Sequence, residues 1–458
     1  MAMASQVDPA EPAAVTCQSV RIDPPPVAAV LRRLASPRVV WSGPAEQTVV
    51  GSGAAVVIHA TGDDRFAAVQ SHLDEVWDAV VYDGDAEARP RALGGFGFRA
   101  TASSAPEWQA FAPAQFVIPQ LQVTWEGDAA WVTRTRVSPG RPSDDLSGVA
   151  AAIASTGPDT VAESATIVGR THTPDRSAWE RTVDAVLDAI DAGRLEKLVL
   201  AQRLRAELQT AVDGAGVLQR LTDRYPRCYR FLIEPVPTTA VGGIGASGDR
   251  PPRFVGASPE RLIAHREGTI ETDALAGTTT RGDTAALDEW LATELLADAK
   301  NSVEHAVVVE TLTAQLAPFL TELTVQDRRI RRLDTIQHLW TPISGPAAPS
   351  TTVLDVVAAL HPTPAVGGLP PARAHSEIEA AEPFDRGWYA APVGWVDADG
   401  EGTFAVAIRS ATIDEAVAHC YAGVGLVGDS DPAMEWEETQ LKFRPMLEAL
   451  DPAGVSRW

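Results

Sequence analysis

Glu435, Glu438 and Lys442 follow one another at intervals of three and four residues in 421–442 (YAGVGLVGDSDPAMEWEETQLK), which reads as a strand, a turn and a helix. On a helix these intervals place two carboxylates and an ammonium on one face. Such a face can hold a divalent cation through oxygen ligands and an anion through the ammonium. The plain alternative is a solvated charged helix with local ion pairs. Asp429, Ser430, Asp431 and Pro432 supply capping oxygens and a proline for the helix start. Gly423 and Gly425, just before the turn, permit close backbone approach to a ligand.

Other residues offer matching chemistry. Lys197 opens the alternating run 196–208 (EKLVLAQRLRAEL). A lysine there either snorkels to solvent or, held beside a pocket, acts as a base. Glu260 falls just beyond a strand and turn in FVGASPERL. Lys300 and Glu304 lie four apart on a helical stretch and read equally well as an exposed ion pair. Arg409 interrupts the apolar run FAVAIRSATI, where its charge requires an anionic partner. His361 stands before a proline and also suits a helix terminus.

The elements that position these residues follow from periodicity. An apolar stripe of Trp179, Val183, Val186, Leu187 and Ile190 predicts a helix over 177–192, with Gly193 as its stop. A single long helix is expected over 287–316, and strands over 390–397 and 402–412 around a turn at Asp399–Gly400. LGGFGF at 93–98 lacks the spacing and following helix of a dinucleotide loop, so its glycines are expected to serve tight sheet packing. The glycines of 242–248 and the prolines at 251–252 read as a flexible stretch. Residues 1–25 read as a loose leader, 26–150 as an N-terminal portion, 151–176 as a linker-like segment and 177–450 as the catalytic region.

At 458 residues, 45% apolar and 22% charged, the chain has the composition of a folded soluble protein. Its formal charge of -23 argues against a nucleic-acid partner, although a local basic pocket can still take an anion. Cys17, Cys228 and Cys420 form no metal spacing and no disulfide framework, which fits a reduced cytoplasm. No apolar run reaches membrane-spanning length, and the first 16 residues lack the pattern of an export signal.

KLVLAQR, FVGASPERL, ALAGTTTRG, DAKNSVEH, IQHLWT, HPTPAVGG, EPFDRGWYAAPVGWVDADG, FAVAIRSATI and YAGVGLVGDSDPAMEWEET, in that order across about 177–442, together resemble the chorismate-binding enzymes. That family includes isochorismate synthase, salicylate synthase and the first components of anthranilate and aminodeoxychorismate synthase. The resemblance implies an α+β fold of two packed antiparallel sheets with helices outside and the active site in a cleft. It implies magnesium held by Glu304, Glu435 and Glu438, and oxygen-only ligands suit that hard cation. It further implies that Arg409 clamps the enolpyruvyl carboxylate of chorismate, helped by the backbone at Gly423 and Gly425, with Lys442 adding positive charge. Gly277 and Thr278 resemble positions lining the ring pocket, Ala365 and Ile408 its close apolar contacts, and His361 a further substrate-side residue.

Within the family, Lys197 separates members that use water from those that use ammonia. ALAGTTTRG and HPTPAVGG likewise resemble the water-using branch, and no glutamine amidotransferase signature accompanies them. The resemblance therefore implies isochorismate synthesis, with unprotonated Lys197 activating water for attack at C2 and protonated Glu260 assisting loss of the C4 hydroxyl. The alternatives are salicylate synthase, which adds pyruvate elimination, an amine-using synthase, and a non-catalytic chorismate-binding protein. Oligomeric state has no recognisable motif, and a monomer is compatible with the chain.

Overall fold

The computed structural model describes residues 15–44, 46–137, 146–157, 164–237, 252–332 and 336–457. Among them two large sheets dominate, of thirteen and ten strands, with helices on their outer faces. Pairing is antiparallel except where Val15–Ile22 lies parallel to Val80–Asp83 at one edge of the larger sheet. The expected α+β architecture of two packed sheets is therefore what the chain adopts, with this one parallel pair added.

Strands from the N-terminal portion continue both sheets. Arg38–Ser42 joins Tyr229–Ile233 in the larger one, and Ala92–Phe96 joins Pro392–Val396 in the smaller. The large aromatic side chains of Trp41, Phe96, Phe116, Phe231, Phe254 and Phe404 are fully buried in one cluster between the layers. Each such side chain contributes roughly 1.5–3 kcal/mol by leaving water. A second cluster fills the far side of the larger sheet, where Leu218, Leu221, Phe443 and Leu447 pack down from helices. LGGFGF behaves as expected: a Cβ on Gly94 would stand 1.9 Å from the Gln115 carbonyl oxygen, so only glycine lets these strands meet.

Four expectations need correction. The stretch expected to be a loose leader holds an ordered strand, because Val15–Ile22 pairs along its whole length with Ala129–Val137. The linker-like segment holds the end of helix Leu146–Ala154 and the edge strand Ile167–Thr173, since its alternating residues find a partner in 203–208. The long helix is two, Ala285–Ala297 and Ala299–Leu316. Asp298 divides them by taking extended geometry and accepting from the Asn301 amide (2.7 Å), which starts a new helix. Finally, 402–412 is two strands, Gly402–Val406 in the smaller sheet and Ser410–Asp414 in the larger. The glycine and proline stretch at 242–251 lies outside the described residues.

The break between these last two strands is a crossing between layers. At Ala407–Arg409 the chain steps from one sheet to the other, and it does so again at Pro259–Glu260, between Arg253–Ser258 and Arg261–Arg266. The two crossings are tied together. Val406 N–H donates to the Glu260 carbonyl (3.1 Å), Ala257 N–H to the Arg409 carbonyl (3.1 Å), and Ser258 Oγ to the Val406 carbonyl (2.6 Å).

Candidate active site

A cleft of about 580 Å³ opens at these crossings, a volume suited to a small-molecule ligand. Lys197 enters from the strand Lys197–Leu208, which pairs with Val417–Leu426 so that Val199 faces Gly425 and Ala201 faces Gly423. A Cβ on Gly425 would meet Lys197 Cε at 2.9 Å, so that glycine makes room for the lysine stem. Helix Pro432–Leu450 begins as its sequence requires, with the Asp431 carboxylate accepting from the Ala433 and Met434 amides (2.9 Å each). Its apolar face buries Trp436, Phe443 and Met446, leaving Glu435, Glu438 and Lys442 toward the cleft.

Every other site residue named from the sequence, His361 excepted, also lines this cleft: Glu260, Gly277, Thr278, Glu304, Ala365, Ile408, Arg409, Gly423 and Gly425. His361 does not. It caps the helix Val353–Leu360, and its ring packs against Phe66 and Phe98 instead. Burial pushes its pKa down to about 3, so it is a neutral packing residue, and Ala365 reaches the cleft in its place.

Two lysine–carboxylate pairs line the cleft. Lys197 Nζ donates to Glu304 Oε1 at 2.8 Å, although the two are 107 residues apart. Lys442 Nζ lies 2.6 Å from Glu438 Oε1 and donates to the Gly423 carbonyl at 2.8 Å. Burial raises the Glu438 carboxyl, but Lys442, Arg409 and His338 more than offset it and hold the group below its ordinary value. Glu304 thus pairs with Lys197, across the cleft, and the side chain of Lys300 lies outside the described positions.

Glu260 is the group most altered by its surroundings. Removal from water raises its pKa to about 7, against the opposing pull of Arg331 and Lys197. Near neutral pH it is therefore divided between acid and anion, as a proton donor should be. Arg409 takes φ of +52° at the sheet crossing, a left-handed geometry rarely adopted by non-glycine residues. Its backbone is fixed there by the bond from Ala257, and its head faces the cleft. Gly277 interrupts the pairing of Thr269–Thr280 with Ile336–Pro346 at φ +74°, where a Cβ would meet the Asn301 side chain at 2.9 Å.

The sequence reading missed His338, Tyr389 and Asn301, which also line the cleft. His338 Nδ1 is 2.8 Å from Thr278 Oγ1, and burial with nearby Lys442, Arg409 and Arg331 lowers its pKa to about 4. It is a neutral hydrogen-bonding group. The signal that finds it is register: His338 lies directly opposite Thr278, which sequence alone does not reveal.

The three glutamates supply the oxygen-only donors that magnesium prefers, and all three line one cleft. Among the described residues, however, no three acidic, histidine or cysteine side chains converge closely enough to enclose an ion. Donor type fits; an assembled cage is absent from this arrangement, in which ammonium groups sit on two of the three carboxylates.

The family model for chorismate binding enzymes matches residues 2–451. The chain is 33% identical over 426 residues to isochorismate synthase MenF of Bacillus subtilis, covering 90% of this chain and 88% of that one. It is 35% identical over 435 residues to the salicylate biosynthesis isochorismate synthase of Pseudomonas aeruginosa, covering 92% and 86%. The solved structure of MenF, the menaquinone-specific isochorismate synthase of Escherichia coli, superimposes with a TM-score of 0.79 at 26% identity, covering 96% of each chain. The chain belongs to the chorismate-binding enzymes and, within them, to the isochorismate synthase family. Among the described residues no helix is long and apolar enough to cross a membrane.

Proposed function

We propose that this protein is a magnesium-dependent isochorismate synthase that exchanges the C4 hydroxyl of chorismate for a C2 hydroxyl. The observation that carries the reading is the presence, in one cleft, of a lysine amine, a carboxyl with pKa raised to about 7 and two cationic groups for a dianion. Arg409 and Lys442 bind and orient the substrate carboxylates, while Ala365, Ile408 and Gly277 shape the wall against the ring. Lys197, once its amine has left Glu304 and given up a proton, takes a proton from the water that forms the new C2–oxygen bond. Glu260 protonates the departing C4 hydroxyl, which leaves as water while the ring double bonds shift. Lys197 ends protonated and Glu260 ionised, and proton exchange with solvent restores both. Glu304, Glu435 and Glu438 would hold magnesium, which when bound neutralises and orients a substrate carboxylate.

The reading places the enzyme in a cytoplasmic setting with chorismate as its small-molecule partner and no obligatory glutaminase. Chorismate supplied as sole substrate with magnesium should give isochorismate, identified by chromatography. Direct release of salicylate and pyruvate would replace this reading with salicylate synthase, and binding without turnover would make the chain a chorismate-binding module. Glu438→Gln should weaken magnesium affinity about 10–100-fold. Titration calorimetry matching the unsubstituted enzyme would remove Glu438 from the metal set.

A further inference from the structure

The strand carrying Lys197 is incompletely paired. On one side Val417–Leu426 accompanies it from Leu198 to Glu207. On the other, Gly368–Leu369 covers only Lys197 and Leu198, and Ile167–Thr173 begins only at Arg203. Residues 199–202 therefore lack a neighbouring strand on that side. Three of their outward backbone groups are taken up by Gly367, whose carbonyl accepts from Val199 N–H (2.8 Å), and by one ion pair. Glu382 Oε1 accepts from Ala201 N–H (2.8 Å), and Arg386 Nη2 donates to the Val199 carbonyl (2.8 Å).

Glu382 and Arg386 are otherwise fully engaged with each other, at 2.8 Å through Nε and 2.5 Å through Nη2, and their side chains are 1% and 2% exposed. The remaining arginine nitrogen, Nη1, donates to the Val366 carbonyl (2.8 Å), and Phe98 stacks on the guanidinium at 4.4 Å. Val199 and Val366 both line the cleft. A buried ion pair gives little stability over apolar residues of the same volume. Apolar residues, though, have nothing to offer a carbonyl or an amide.

We infer that Glu382 and Arg386 are positioning residues: together they stand in for a missing strand, fixing Lys197 and the Val366 wall of the cleft at one spacing. This deepens the proposed function and rests on Lys197 being its base. In the unsubstituted protein the Ala201 amide should exchange with deuterium as slowly as its strand-paired neighbours, and exchange at the rate of an open loop would overturn the inference. Arg386→Lys and Glu382→Gln preserve volume, and each should lower kcat about 10–100-fold while changing KM less than about threefold. Amide exchange at Leu198–Gln202 should quicken in both variants, with the strand Gly402–Val406 unchanged. A folded variant with kcat within about twofold of the parent, or a loss residing wholly in KM, overturns the inference. If Lys197→Ala keeps full turnover, the base assignment fails, while the exchange measurements still decide whether the pair holds the strand.

Discussion

The Lys197–Glu304 pair in the cleft and the buried arginine–carboxylate pairs use the same charges but different numbers of hydrogen bonds. Arg386 and Glu382 are saturated by each other and by three backbone groups. Glu234 is similar: its side chain is 0% exposed and accepts from Ser36 Oγ, the Arg38 amide and the Arg38 guanidinium. Lys197 and Glu304, by contrast, share one bond and keep 13% and 27% of their side chains exposed toward a cleft. A saturated pair has nothing left to give a ligand. A pair held by one bond can exchange its partner, so the two pair types separate scaffold from working groups.

Three outcomes would break or sharpen that division. The largest effect belongs to the cleft: Lys197→Ala should reduce kcat about 10²–10⁴-fold while chorismate binding falls much less. An unchanged turnover number would reject Lys197 as the base. Next comes the scaffold, where Arg38→Met leaves the Glu234 carboxylate buried without its cation and should cost about 3–5 kcal/mol of stability. Denaturant unfolding reads that loss, and the folded fraction should keep its kcat; a lower kcat there would mean that the two pair types are coupled. The smallest effect is the pH limb from Glu260. Its acid form falls away as pH rises through about 7, but the unprotonated amine of Lys197 grows in the same direction, so the limb is read in Lys197→Ala, whose residual kcat/KM should decline about tenfold per unit above neutral pH. The same raised value means that stability linked to this group is full below its ordinary carboxyl range and is lost as pH climbs through about 7. A residual profile flat to pH 9 in that variant would remove Glu260 as the acid.

Much of the site was legible because its signals are local. The Asp431–Pro432 start of a helix, the strand beginning at Lys197 and the turn at Asp399–Gly400 each depend on a few adjacent residues. What was lost depended on distant neighbours. His361 looked available next to a proline, but Phe66 and Phe98 enclose it from elsewhere in the chain. The break at Asp298 was hidden because apolar periodicity continues through a position that also makes a good cap. Arg409 looked like a charge inside a strand; in fact the strand ends there to change sheets, which is what frees the guanidinium to face the cleft. His338 required knowing which residue lies beside it on the next strand.

Because Glu260 and Arg409 stand at two of the seams between layers, the distance from the proposed acid to the proposed clamp is a gauge of how tightly the sheets are pressed together. Few deformations of the interior leave that gauge untouched. Hydrostatic compression, which squeezes such interlayer space long before it unravels strands, should therefore change the rate of this protein while its circular dichroism stays still.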